Sequence, residues 1–268
     1  MRLSVEHRTR YRFSAPQARL VQMLRLRPSD SALQGIADWR IDVDCDARLK
    51  PGQDGFGNAV TMLYAEGPID QVEIAVTGEV ITSDNAGVQS GVFEPFPAML
   101  FNRATALTAP AAEITALAAQ ILPGSPLTER LDALCAALAR RFTIDVGRPV
   151  RGQTAAQALT RDAVTARDLA HIFIACAQAM GAPARYITGY SLAALHRAAP
   201  HAWAEAFVDG VGWIGLDPAI GARVGEGHVR VAVGLDAAGA APVAGFRLGD
   251  GEELLDVGVD VARLPNGG

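Results

Sequence analysis

Thr165-Ala166-Arg167-Asp168-Leu169-Ala170-His171-Ile172-Phe173-Ile174-Ala175-Cys176 is the stretch on which the fold turns. Thr165 and Asp168 stand at the Ser/Thr-x-x-acid spacing that caps a helix N-terminus. Leu169, Ile172, Phe173, Cys176 and Met180 recur at steps of three and four, which places them on one apolar face. Gly181 and Pro183 close the segment, as a C-terminal glycine and a following proline do. The spacing predicts a helix over 164–180 with Ala166 in its first turn. A thiol at that position would feel the positive end of the helix dipole and be pushed toward thiolate. An alanine there, taken alone, signals nothing.

Downstream, His201-Ala202-Trp203-Ala204-Glu205-Ala206-Phe207 alternates as a strand does, with His201, Trp203, Glu205 and Phe207 on one face. Asp209-Gly210-Val211-Gly212 is turn chemistry, and Trp213-Ile214-Gly215-Leu216-Asp217-Pro218 returns as the second strand of a hairpin. A loop of two to four residues sets the partner of His201 at 218 to 220. Asp217 then lies opposite or diagonal to His201, about 5 to 8 Å away across the ladder. A carboxylate so placed can orient an imidazole and stabilise its charged form; the same pair also reads as a structural one. His201 and Glu205 have the i, i+4 spacing of a helical metal pair. The alternation makes the segment a strand, however, and no third ligand is evident, so neither a metal nor a cofactor is expected.

Working outward, the first 92 residues read as β structure. Val5-Glu6-His7-Arg8-Thr9-Arg10-Tyr11-Arg12-Phe13 and Trp39-Arg40-Ile41-Asp42-Val43-Asp44 alternate with a period of two. Asp54-Gly55-Phe56-Gly57-Asn58 is a turn leading into Ala59 to Tyr64, and Val72, Ile74, Val76 and Val80 mark a further strand. These strands predict an antiparallel, sandwich-like domain over 1–92. The prolines of Phe93-Glu94-Pro95-Phe96-Pro97 mark a linker. Helices are expected at 109–122 and 126–142 ahead of the one at 164–180. From Tyr186 the pattern is β again, with strands ending the chain over 229–235 and 254–261. Those strands are assigned to a second domain, 93–268, and the fold class is α+β.

Half of the 268 residues are hydrophobic, so a core is available without disulfides or metals. The net charge of −5 argues against nucleic acid. No run approaches the roughly 18 apolar residues of a membrane span, and the charged start does not resemble a signal peptide, so a cytoplasmic protein with no membrane partner is expected. Cys45, Cys135 and Cys176 form no CxxC or CxxH pair and read as buried reduced thiols.

Arg167 to Cys176, then Gly181-Ala182-Pro183-Ala184-Arg185-Tyr186-Ile187-Thr188-Gly189-Tyr190, resembles the nucleophile helix and following strand of bacterial transglutaminase-like proteins. His201-Ala202-Trp203-Ala204-Glu205 and Gly215-Leu216-Asp217-Pro218 resemble the family's histidine and aspartate motifs, in the expected order. Tyr11-Arg12-Phe13, Leu24-Arg25-Leu26-Arg27-Pro28 and Asp54 to Asn58 resemble its N-terminal β domain, so the likeness covers nearly the whole chain. It implies a Cys-His-Asp triad on a papain-like core of helices packed on an antiparallel sheet. Such enzymes attack a peptide or carboxamide carbonyl, form an acyl-thioester, and resolve it with water or an amine. Carried over by position, the base is His201, its orienter is Asp217, and the nucleophile's place is held by Ala166.

The departure falls on the one atom that does the chemistry. Cys176 is ten residues further on, about 15 Å along the helix and on its apolar face, and the Thr165 hydroxyl is committed to the cap. The chain as written is therefore expected to be inert in acyl transfer. An intact base and orienter around a methyl group favour a cysteine replaced by alanine over a natural pseudoenzyme. The leading expectation is a cysteine peptidase or amidase scaffold. The alternative is a module that holds a peptide without cutting it, with Trp203, Tyr190, Asp168 and Thr165 as cleft candidates. A third reading gives the N-terminal domain an interaction role such as homo-oligomer formation. Arg185 and Tyr186 are expected to border the cleft, the Ala166 N–H to serve as one oxyanion donor, and His171 to be a packed core histidine.

Overall fold

The computed structural model describes residues 1–147, 150–194 and 199–265. The N-terminal half is β1 (Arg2–Leu24), β2 (Gln34–Val43), β3 (Ala47–Gln53) and β4 (Ala59–Thr82). Strands β1 and β4 pair antiparallel along nearly their whole length, with register shifts between Arg12, Gln17 and Arg19. Bulges of this kind bend a strand, so the expected sandwich-like domain is one sheet with two halves. Strand β2 pairs with one half of β4 and β3 with the other. Along β1 the odd positions Leu3, Val5, His7, Thr9 and Tyr11 are buried while Glu6, Arg8 and Arg10 face solvent. Full burial of a leucine or valine there contributes about 1.5 to 3 kcal/mol.

After a short 3-10 helix (Ala98–Asn102), the core runs α1 (Ala112–Gln120), α2 (Leu127–Arg141), β5 (Thr143–Ile144), α3 (Ala155–Leu159), β6 (Ala163–Val164) and α4 (Ala166–Ala179). Strands β7 (Ala184–Ser191), β8 (His201–Val208), β9 (Gly212–Asp217), β10 (Ala222–Arg223) and β11 (His228–Gly234) form a second sheet in the order β10-β9-β8-β7-β11. Helix α4 lies on β7 and β8 and is flanked by α1, α2 and α3. It is buried on all sides, not on one face as its spacing suggests: every residue from Asp168 to Ala177 is inaccessible. A helix this apolar all round belongs at a centre.

The chain's last strands correct the domain boundary. Strands β12 (Val243–Leu248) and β13 (Glu253–Arg263) do not join the core but pair with the two halves of β1, giving the first sheet six strands. Alternation identifies a strand but not its partner, and β1 offers a free edge of 23 residues beside β4. The N-terminal domain is therefore closed by the C-terminal segment.

Side-chain amides lock the two sheets together. The Asn58 amide donates to Val233 O at 2.8 Å and accepts from Val233 N–H at 2.7 Å. Gln34 grips Arg230 in the same two-point fashion, at 2.8 and 2.9 Å. Asp54 organises the turn that presents Asn58, accepting from Phe56 N–H, Asn58 N–H and Arg25. Among the described residues no helix is long and apolar enough to cross a membrane.

Candidate active site

The expected cap at the start of α4 is present in full. Thr165 Oγ1 accepts from Asp168 N–H, while the Asp168 carboxylate accepts from Thr165 N–H at 3.2 Å and Oγ1–H at 2.7 Å. These two candidates therefore fix the helix end and do not line a cleft. Ala166 is the first helical residue, where a backbone N–H has no intrahelical partner. Its methyl group borders a narrow cavity shared with His201, Ala193, Ala194 and Ala219.

His201 reaches that cavity from the start of β8. Val208 pairs with Gly212, leaving a three-residue loop at 209–211, and Ala204 pairs with Leu216. Continuing that register puts residue 219 opposite His201 and Asp217 on its diagonal. The side chains close the gap: His201 Nε2 lies 2.6 Å from Asp217 Oδ2, and both residues are buried. With Nε2 engaged by the carboxylate, proton exchange with a reacting group has to pass through Nδ1.

A residue that the sequence reading missed completes the array. His228, at the start of β11, places Nε2 3.1 Å from the same Asp217 oxygen, and its Nδ1 accepts from Gly225 N–H at 3.3 Å. An acceptor Nδ1 fixes the tautomer with the proton on Nε2. Ala219 N–H donates to Asp217 Oδ1 at 3.0 Å. Burial alone would raise the Asp217 carboxyl. The charge and hydrogen bond of His201, with those of His228, outweigh it and hold the group well below the ordinary carboxylate range. His201, Asp217 and His228 bring three possible metal-binding atoms within 4.8 Å of one another. Their spacing is already accounted for by two N–H donors sharing one carboxylate oxygen.

The other candidates fall elsewhere. Trp203 is buried on the same face of β8 as His201, with ring centroids 6.2 Å apart, and stands edge-on to His228 at 5.3 Å, but it lines neither the cavity at Ala166 nor the larger groove onto which His201 opens. Tyr190 is buried between the sheets, its Oη 3.0 Å from His7 Nδ1. Alternation gave the faces of these strands correctly but not which face is covered. Arg185 does not border the cleft: it is buried behind the sheet over Trp213 at 3.8 Å, paired with Glu205 at 2.7 Å and with Glu94. Glu205 also binds Arg230 at 2.8 Å, so the His201/Glu205 metal pairing has no donor to spare. His171 is a core residue as expected, its Nε2 accepting from Ala237 N–H. No thiol stands in at the site. Cys176 is fully buried, and burial pushes its thiol up to about 12. Burial and the charge of Asp217 push Cys135 higher still, and Cys45 is half-buried, more open than expected.

His201 also opens onto a groove of about 790 Å³. Arg151, Arg167, Tyr186 and Thr188 line it on the core side, and residues 242–247 line it on the side of the first sheet. Tyr186 thus borders the cleft as expected, while the contribution of β12 was not foreseen.

Residues 3–81 match the family model of the bacterial transglutaminase-like N-terminal region, and residues 115–218 match that of the transglutaminase-like superfamily. The uncharacterized proteins Rv2569c of Mycobacterium tuberculosis and Mb2599c of Mycobacterium bovis are each 26% identical, over 88% of this chain and 84% of their own. A solved structure from Cytophaga hutchinsonii, described as a candidate cysteine protease, superposes with a TM-score of 0.79 at 21% identity. That match covers 100% of this chain and 92% of the other. At that identity the likeness establishes a shared fold.

Proposed function

Because the chain belongs to the bacterial transglutaminase-like family, with that family's N-terminal region followed by its core, we propose that it is a cysteine peptidase or amidase scaffold that binds a peptide or carboxamide and lacks the thiol to cleave it. The observation that carries this reading is the His201–Asp217 contact of 2.6 Å on a cavity shared with the first residue of α4. The description of the Cytophaga relative points the same way.

With a thiol at 166, each part has a task. The helix end and His201 favour thiolate. The sulfur attacks the carbonyl carbon, forming the S–C bond, while the 166 N–H donates to the oxygen that gains charge. His201 Nδ1 carries the proton to the leaving nitrogen as the C–N bond breaks. Water then adds to the acyl-thioester, loses its proton to Nδ1, and returns the thiol with a carboxylic acid. Asp217 keeps the imidazole in the tautomer that allows both transfers. A methyl group at 166 can do none of this.

Ala166→Cys is the test. The reading expects a thiol that reacts with iodoacetamide with a pKa at least about one unit below the ordinary 8.5, together with turnover of peptide or amide substrates. An ordinary thiol without turnover of any such substrate rejects it. An intact base and orienter favour a cysteine replaced by alanine. A second reading, a natural pseudoenzyme that only binds, draws support from the structural ties of Asp217: Ala219 and His228 both depend on it, so the carboxylate has reason to persist without catalysis. Codon 166 in the source gene separates the two, cysteine favouring the first and alanine the second.

A further inference from the structure

Strand β12 ends one side of the first sheet: β1 pairs with one of its edges, and among the described residues no strand pairs with the other. Leu24 lies opposite Val243, and Arg25 N–H donates to Pro242 O at 2.7 Å, one step further along the same register. Hydrogen-bonded positions alternate in an antiparallel ladder. The even positions of β12 therefore bond to β1, and Val243, Gly245 and Arg247 turn their N–H and C=O groups outward. An edge of this kind is a template for one more strand, which proteins ordinarily cover or interrupt. Here the edge belongs to one wall of the groove that holds His201.

The facing wall carries two arginines with N–H donors to spare. Arg151 is exposed on the groove and has no hydrogen bond or ion pair among the described residues. Arg167 is ion-paired with Asp168 at 3.2 Å and donates to Val150 O through the same nitrogen, while its Nε is buried with no acceptor. Glu253, the carboxylate lining the groove, already faces Arg247 at 3.6 Å. A ligand fitting both walls has an extended backbone to extend the sheet and a negative side chain to meet Arg151 and Arg167.

We propose that the groove takes an acidic polypeptide segment in extended form, added as a strand on the open edge of β12 and directed toward His201. The proposal rests on the reading of this site as a peptide or amide cleft and names its ligand class. Six residues of β12 offer a seat of about 20 Å at roughly 3.3 Å per residue. Alternate side chains of the guest would point toward the arginines, and main-chain hydrogen bonds would supply affinity largely independent of sequence.

The test uses the full chain and two fluorescein-labelled decapeptides of alternating threonine and valine, one with two central glutamates and the other with lysines there. Fluorescence anisotropy should show the glutamate peptide binding about tenfold or more tightly than the lysine peptide. Arg151→Ala, at an exposed residue outside the catalytic array, should weaken the glutamate peptide about five- to tenfold. Backbone N-methylation at alternate residues gives two isomers. The isomer methylated on the β12-facing amides should lose about tenfold or more, and the other should bind like the parent. Equal binding of the two isomers removes the added strand, and equal binding of glutamate and lysine peptides removes the charged wall; either overturns the proposal, as does binding of no peptide at all. An activated thiol in Ala166→Cys without peptide binding would leave the proposed chemistry standing and reject this inference. Isomer-selective binding beside an ordinary thiol would do the reverse.

Discussion

His228 and Asp217 share a hydrogen bond of 3.1 Å, so the carboxylate that orients the candidate base is itself held by a second imidazole. The Nδ1 of His228 accepts from Gly225, which leaves Nε2–H free to serve only the carboxylate. Asp217 thus ends two donor chains and a backbone amide, all in a buried setting.

Removing that second imidazole should cost stability. His228→Phe is expected to lower the unfolding free energy by about 1 to 3 kcal/mol, the usual cost of depriving a buried polar group of a partner. His228→Gln, which keeps a donor, should recover part of it. Urea titrations at pH 7 measure both, and a neutral His228→Phe would show that Asp217 does not lean on this residue.

Orientation by Asp217 should show in the reactivity of an introduced thiol. In Ala166→Cys the alkylation rate should follow a depressed thiol pKa; adding Asp217→Asn should return that pKa toward 8.5 and slow alkylation at pH 6.5 about tenfold or more. A pH–rate profile unchanged by Asp217→Asn would disconnect the carboxylate from the base.

Glu205 sits fully buried between Arg185 and Arg230. Burial opposes its charge, but the two guanidiniums outweigh that and hold its carboxyl below the ordinary range. Glu205→Leu should leave Arg185 with only Glu94 and cost about 3 to 5 kcal/mol, as breaking a buried pair usually does. Chemical denaturation gives the number, and a loss under about 1 kcal/mol would mean that Glu94 and Trp213 suffice.

Acid should weaken the fold first through two histidines. Burial brings His7 from 6.5 to about 4, and burial with the charge of Arg167 does the same to His171. Between those values the unfolded chain binds more protons, so stability is greatest above pH 6.5 and falls as pH drops toward 4. Each contributes on the order of 3 kcal/mol across that window. Asp217 adds a separate loss only below about 3.9, because its folded carboxyl is depressed. Unfolding free energies from pH 4 to 8 should trace this slope. His171→Gln should flatten it by about half; an unaltered slope would assign the acid sensitivity elsewhere.

The sequence was most legible where chemistry is local. Thr165 and Asp168 announced the start of α4 because a cap is written in four consecutive residues. The His201–Asp217 pairing followed from a short turn that limits the register to a few choices. Distance in sequence erased the rest. Nothing near Leu254 to Val261 says that β1 is its partner, and nothing near His228, eleven positions beyond Asp217, says that it returns to the same carboxylate. Trp203 and Tyr190 show the same limit: their faces are readable, but the layers covering them come from elsewhere in the chain.

The pairing of β13 with β1 also sets a timetable for synthesis. Strand β1 leaves the ribosome ahead of β4 and gains it within about eighty residues, yet its other edge stays bare until β12 and then β13 have been made. While the core is being made, the nascent protein exposes a long, unpaired edge of the kind that recruits foreign strands. A ribosome that stalls or terminates within the core would release that open edge, however complete the helices around Ala166 had become. Strands made long after β1 are the ones that seal it.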